Sequence, residues 1–160
     1  MRIAYGVMGY GRGHAMRTSA VLPGLMQRHD VKVFAGADAY QALHERFPCE
    51  TLPVIGYQYD DQGRLSAPLT MVRNAGLTAD LLAAGPQTRA VWQRLAAFAP
   101  DLVISDSETW THRFARHHGI PRISFDHVGI MAFCHCDFAP EDRWRGMRDA
   151  LGYHLFMGDP

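Results

Sequence analysis

Five short, mostly apolar runs, at 3–7, 31–35, 51–54, 102–105 and 122–125, are separated by longer segments whose apolar residues recur at helical spacing. No other feature narrows the possible folds as far. Runs of this length read as strands, and strands that alternate with helix-length crossovers pair in parallel, because each crossover returns the chain to the same end of the sheet. The expectation is a single α/β domain over residues 1–160, with a doubly wound, mostly parallel, Rossmann-like sheet that opens as βαβαβ. Helices are predicted at 15–27, 39–46, 109–118 and about 141–155. A long helical pattern ending at Phe98 breaks or kinks at Gly85-Pro86, which allows two helices in tandem. Pro23 falls inside the first helix, where it costs about 3 kcal/mol or bends the axis. The polar, glycine-bearing stretch 55–68 reads as a long, weakly ordered loop.

Such a sheet needs a core, and 48% hydrophobic residues among 160 suffice for one without disulfides or metal. Sixteen basic residues balance sixteen acidic ones, which removes any bulk attraction to nucleic acid or anionic lipid. Three cysteines, Cys49, Cys134 and Cys136, form no disulfide framework and suit a reducing compartment, so the expected location is cytoplasmic. Glycines at 6, 9, 11 and 13 interrupt the opening apolar run, which does not read as a signal peptide, and no stretch approaches the roughly 18 apolar residues of a membrane span. Any membrane role is expected to be peripheral, at the inner face.

Ligands of doubly wound sheets gather at the carboxyl ends of the strands, so the loops after Val7, Ser105 and Phe125 are expected to face one crevice. The first of these loops reads Gly9-Tyr-Gly-Arg-Gly-His14. Its glycines let backbone amides approach a ligand at the positive end of a helix. A dinucleotide fingerprint requires a third glycine where His14 stands, and no acidic residue follows the second strand before Asp38, so a nicotinamide-dependent oxidoreductase is disfavoured. A Walker pattern is absent as well. The helix dipole at His14 disfavours the cationic imidazole and leaves it available as a base; a histidine that merely caps the loop is the competing reading.

Four segments in this order resemble the nucleotide-sugar glycosyltransferases of two-Rossmann-domain (GT-B) architecture, including the UDP-glycosyltransferases and the lipid-linked GlcNAc transferase of peptidoglycan synthesis. They are the opening Arg2 to His14, the step His29-Asp-Val-Lys-Val-Phe-Ala, the segment Pro100-Asp-Leu-Val-Ile-Ser-Asp-Ser-Glu, and the turn and strand Gly119-Ile-Pro-Arg-Ile-Ser-Phe-Asp-His. The resemblance implies an amino-terminal, acceptor-binding domain of an inverting glycosyltransferase, with the donor-binding domain absent from this chain. It implies His14 as the general base and Asp106 as the carboxylate that orients it. Glu108 is able to take the place of Asp106, and the competing reading of Asp106 is a cap of the following helix. In lipid-acceptor relatives the glycine loop cradles acceptor phosphate, which makes Gly11, Arg12 and Gly13 candidate contacts. No cofactor or catalytic metal is implied; a nucleotide sugar, such as a UDP-sugar, is the co-substrate.

Asp126 and His127 end the fifth strand and are candidate acceptor contacts, with turn capping as the plain alternative. Cys134-His-Cys136 lacks a second spaced pair and is a poor match to a tetrahedral metal site. Trp92 and Trp110 read as core, while Tyr57 and Tyr59 sit on the polar loop. Arg143, Trp144, Arg145 and Arg148 form a basic, partly aromatic helix suited to anionic lipid, to a partner domain or simply to solvent. Two alternatives to the transferase half therefore stand: a non-catalytic acceptor-binding or membrane-recruiting subunit that completes a site with a separate donor-binding chain, and half of a sugar-nucleotide epimerase.

Overall fold

A computed structural model describes residues 1–126 and 129–157. Strands β1 (Arg2–Val7), β2 (Asp30–Ala35), β3 (Cys49–Thr51), β4 (Leu102–Asp106) and β5 (Arg122–Ser124) form one sheet of order β3-β2-β1-β4-β5. Every pairing is parallel. The reversal of strand order at β1 and β4 puts their carboxyl ends side by side, with Val7 in register with Asp106. That is the switch point at which a doubly wound sheet opens a crevice.

Both faces of the sheet are covered. On one, α1 (Arg12–Met26) and α2 (Ala37–Leu43) pack Ala15, Leu22, Ala39 and Leu43 against Ile3, Tyr5, Val7, Val31 and Val33. On the other, α3 (Ala67–Leu82), α4 (Pro86–Phe98) and α5 (Thr109–His117) pack Leu81, Val91, Leu95, Trp110 and Phe114 against Ala4, Phe34 and Val103. Alternation along β1, with Ile3, Tyr5 and Val7 on one face and Ala4 on the other, is what a strand buried on both sides requires. The chain then continues through α6 (Ile130–Phe133) and α7 (Arg143–Met157).

Several boundaries differ from the sequence reading. The third strand lies at Cys49–Thr51, before the predicted 51–54, and α1 begins at Arg12, so that Arg12 and Gly13 belong to its first turn. Pro23 does not end α1: it is exposed and close enough to the end that the helix runs only to Met26 beyond it. The tandem pair is real, because Gly85 caps α4 and Pro86 occupies its first turn.

The stretch 55–68 is better fixed than its composition suggests. Buried Asn74 of α3 accepts from Gly56 N at 3.3 Å and donates to Gly56 O at 2.8 Å, and Gln58 N donates to Thr70 Oγ1 at 2.9 Å. Asp60 accepts from Gln62 N and Arg64 N, closing a small hairpin with a Tyr59–Leu65 bridge. Side-chain partners on α3 and at Asp60 thus replace the missing ladder.

Candidate active site

The loop after β1 turns at Gly11, whose φ of 78° lies in the left-handed region that favours glycine. This turn starts α1 and sets His14 within its first helical turn, over the end of β4. His14 Nδ1 lies 2.7 Å from Oδ1 of Asp106; the imidazole is 22% exposed and the carboxylate 0%. An ionised carboxylate only accepts, so in the neutral imidazole this contact takes the Nδ1 proton for a bond with Asp106 and leaves the Nε2 lone pair free. The geometry is that of a base oriented by a buried anion.

Arg17 completes the cluster. Its Nε donates to Asp106 Oδ2 at 2.6 Å, its Nη2 reaches Asp106 Oδ1, and Nη2 stands 2.9 Å from His14 Nδ1. Burial on its own pushes the Asp106 carboxyl up, yet the hydrogen bonds and charges of Arg17 and His14 together hold it below its ordinary value. The anion is therefore kept by its partners, not by water. Arg17 was not singled out in the sequence, although its i+3 spacing from His14 puts both on one helix face.

Glu108 lies elsewhere. It is 4% exposed and caps α5, with Oε1 accepting from Trp110 N at 2.7 Å and Oε2 accepting from Thr111 N at 2.8 Å and Thr111 Oγ1 at 2.6 Å. The capping task that the sequence left open for Asp106 thus falls to Glu108, two residues on. Ser107 between them has a φ of 53°, a strained value that turns the two carboxylates to different sides.

Asp126 sits beside the cluster with its oxygens engaged: Oδ2 accepts from Ser124 Oγ at 2.5 Å and Oδ1 from Gly129 N at 2.8 Å. His127 lies outside the described residues. Of the glycine loop, Arg12 and Gly13 are exposed, while Gly11 N donates to Asp38 Oδ2 at 3.3 Å. The space enclosed between the β1 and β2 loops, lined by Gly9, Gly36, Val54 and Trp110 among others, is about 20 Å³, room for about one water. Nothing larger than about one water fits between these two loops. A larger groove of about 430 Å³, lined by His135, Phe138, Arg143 and Met147, includes none of the residues singled out as site residues. Among the described residues no group of three or more His, Cys, Asp or Glu side chains is arranged to hold a metal ion.

The family model of glycosyl transferase family 1 matches residues 1–150. The chain belongs to that family. Among solved structures its fold is similar to that of Acinetobacter baumannii MurG, with a TM-score of 0.53 and 18% identity over 93% of this chain and 39% of that one. It is also similar to the glycosyltransferase VinC, solved in complex with dTDP, with a TM-score of 0.55 and 17% identity over 95% of this chain and 38% of that one. No curated protein matches at a significant level. This member of glycosyl transferase family 1 thus has the α/β, Rossmann-like fold of the amino-terminal half of a GT-B enzyme, and it spans about two fifths of the length of those two structures.

Proposed function

We propose that this domain forms the acceptor side of an inverting glycosyl transfer, with His14 as general base and Asp106 as its orienting partner. The 2.7 Å bond between His14 Nδ1 and Asp106 carries the reading, because it leaves Nε2 as the one imidazole atom able to take a proton. As the acceptor hydroxyl oxygen attacks the anomeric carbon of a nucleotide sugar, its proton passes to Nε2. The bond from that carbon to the diphosphate breaks, and the electron pair leaves with the nucleoside diphosphate. Attack opposite the leaving group inverts the anomeric centre. Asp106 stabilises the imidazolium that forms. The donor, a UDP-sugar or a related nucleotide sugar, is held by a second Rossmann-like domain, in the same polypeptide or in a partner subunit, and the reaction is cytoplasmic. No metal or organic cofactor takes part in this scheme.

The test is sugar transfer by the domain together with its donor-binding partner. His14→Ala is expected to lower kcat by about 10²–10⁴-fold with a smaller change in KM. Asp106→Asn is expected to cost less, since the imidazole remains but loses its charged partner. Transfer that survives His14→Ala undiminished rules out the base assignment.

A second reading, peripheral recruitment to a membrane, draws support from α7. Trp144, Met147, Leu151 and Leu155 recur at i, i+3, i+7 and i+11 and are each 49–71% exposed, a continuous apolar stripe.

A further inference from the structure

The candidate site makes two demands on one atom. Nδ1 of His14 lies 2.7 Å from Asp106 Oδ1 and 2.9 Å from Arg17 Nη2. With the Nδ1 proton given to Asp106, the guanidinium approaches a nitrogen that has no lone pair left to offer it. A neutral imidazole tolerates that approach; an imidazolium would place a second positive charge 2.9 Å from the first. The same guanidinium reaches both oxygens of Asp106, so the one negative charge of this 0% exposed carboxylate is shared between two partners.

We propose that Arg17 is a positioning residue of this site: it fixes both oxygens of Asp106 and offsets their charge, so that His14 is oriented by the carboxylate without being driven into the protonated form. This rests on His14 acting as the base. Without Arg17 a buried anion would face the imidazole alone and favour the imidazolium, which has no lone pair for an incoming proton. The placement of Arg17 is fixed from several elements. Its guanidinium lies 5.7 Å from the ring centre of Phe125, after β5. The ionisable groups facing it are His14 on its own helix, Asp106 from β4, Asp126 after β5 and buried Tyr5 from β1. A merely structural ion pair would change stability and leave the imidazole indifferent.

The experiment is an NMR titration of the His14 ring in the 160-residue chain, for wild type, R17Q, R17M and R17K. Loss of the charge in R17Q or R17M is expected to raise the His14 midpoint by about one pH unit, on the order of tenfold in proton affinity. R17K, which keeps the charge, is expected to return it most of the way. An uncharged variant with the wild-type amide spectrum and the wild-type His14 midpoint overturns the proposal, as does an R17K protein that titrates like R17Q; R17M serves where R17Q fails to fold. The titration needs neither donor nor acceptor, so its result is separate from the effect of His14→Ala on transfer.

Discussion

Gly6 shows how one residue without a side chain makes the site possible. It lies in β1, in register with Ser105 of β4, and a Cβ there would collide with Thr111 Oγ1 and come within 2.8 Å of Glu108 Oε2. Glycine at this position lets the capped start of α5 settle onto the sheet, and that start follows directly from Asp106. The same logic holds at Gly9 and Gly36, where a side chain would meet Val54 and, respectively, the backbone of Gly36 and of Leu52. Gly6→Ala is expected to destabilise the fold by about 1–3 kcal/mol, the usual cost of forcing atoms into a filled core. Urea unfolding measures it, and a change within about 0.5 kcal/mol would mean that the cap yields freely.

The helix α5 and its cap carry two buried ionisable groups, His112 and Glu108, that pull stability in opposite directions with pH. Burial pushes the Glu108 carboxyl up to about 7 from 4.5, so folding takes up a proton between those values, and the stability it contributes falls as pH rises through that window. Burial, helped by the Arg122 charge, pushes His112 down to about 4 from 6.5; Arg122 Nε donates to its Nε2 at 3.1 Å. Its contribution falls as pH drops from 6.5 towards 4. Between pH 4.5 and 6.5 the two slopes oppose each other. Glu108→Gln removes one of them, and the stability of the variant is expected to climb with pH across this interval more steeply than that of wild type, by about 1.4 kcal/mol per unit. Urea midpoints at several pH values decide it; parallel curves would show that Glu108 is ionised throughout. Asp106 adds a separate loss at the acid end, below its ordinary 3.8, because its folded value is lowered.

On the scale of the whole molecule, the sheet brings His14, Arg17 and Asp106 together at the carboxyl ends of β1 and β4, and α7 leaves an apolar stripe outside. The arginines beside that stripe are less free than their sequence suggests: Arg145 pairs with Asp142 and Arg148 with Asp149, at 3.2 and 2.8 Å. No helix among the described residues is long and apolar enough to cross a membrane. The proposed recruitment through α7 would therefore depend on insertion of Trp144 and its neighbours more than on lipid charge. Flotation with neutral phosphatidylcholine vesicles is expected to carry the chain up, Trp144→Ala to reduce this severalfold, and added salt to change it little. A chain that stays at the bottom of the gradient, or floats only with anionic vesicles at low salt, counts against this surface.

The strand-and-helix order, the parallel sheet, the tandem break at Gly85-Pro86 and the convergence of the β1 and β4 loops were legible in the sequence, because each follows from local periodicity or from the chirality of parallel crossovers. The pair His14 and Asp106 was legible as two loop residues that share an edge. Other contacts between side chains distant in sequence were not. Arg17 looked like any polar position of a helix until the fold set it against a carboxylate 89 residues away. Two carboxylates in Ser-Asp-Ser-Glu read as interchangeable until the left-handed turn at Ser107 sent one to the site and the other to the helix cap. The loop 55–68 read as loose because its fastener, Asn74, lies on a different element. Local patterns carry the free energy of elements; the partners that set charge and order at a site are chosen by packing, which exists only once the chain has closed on itself.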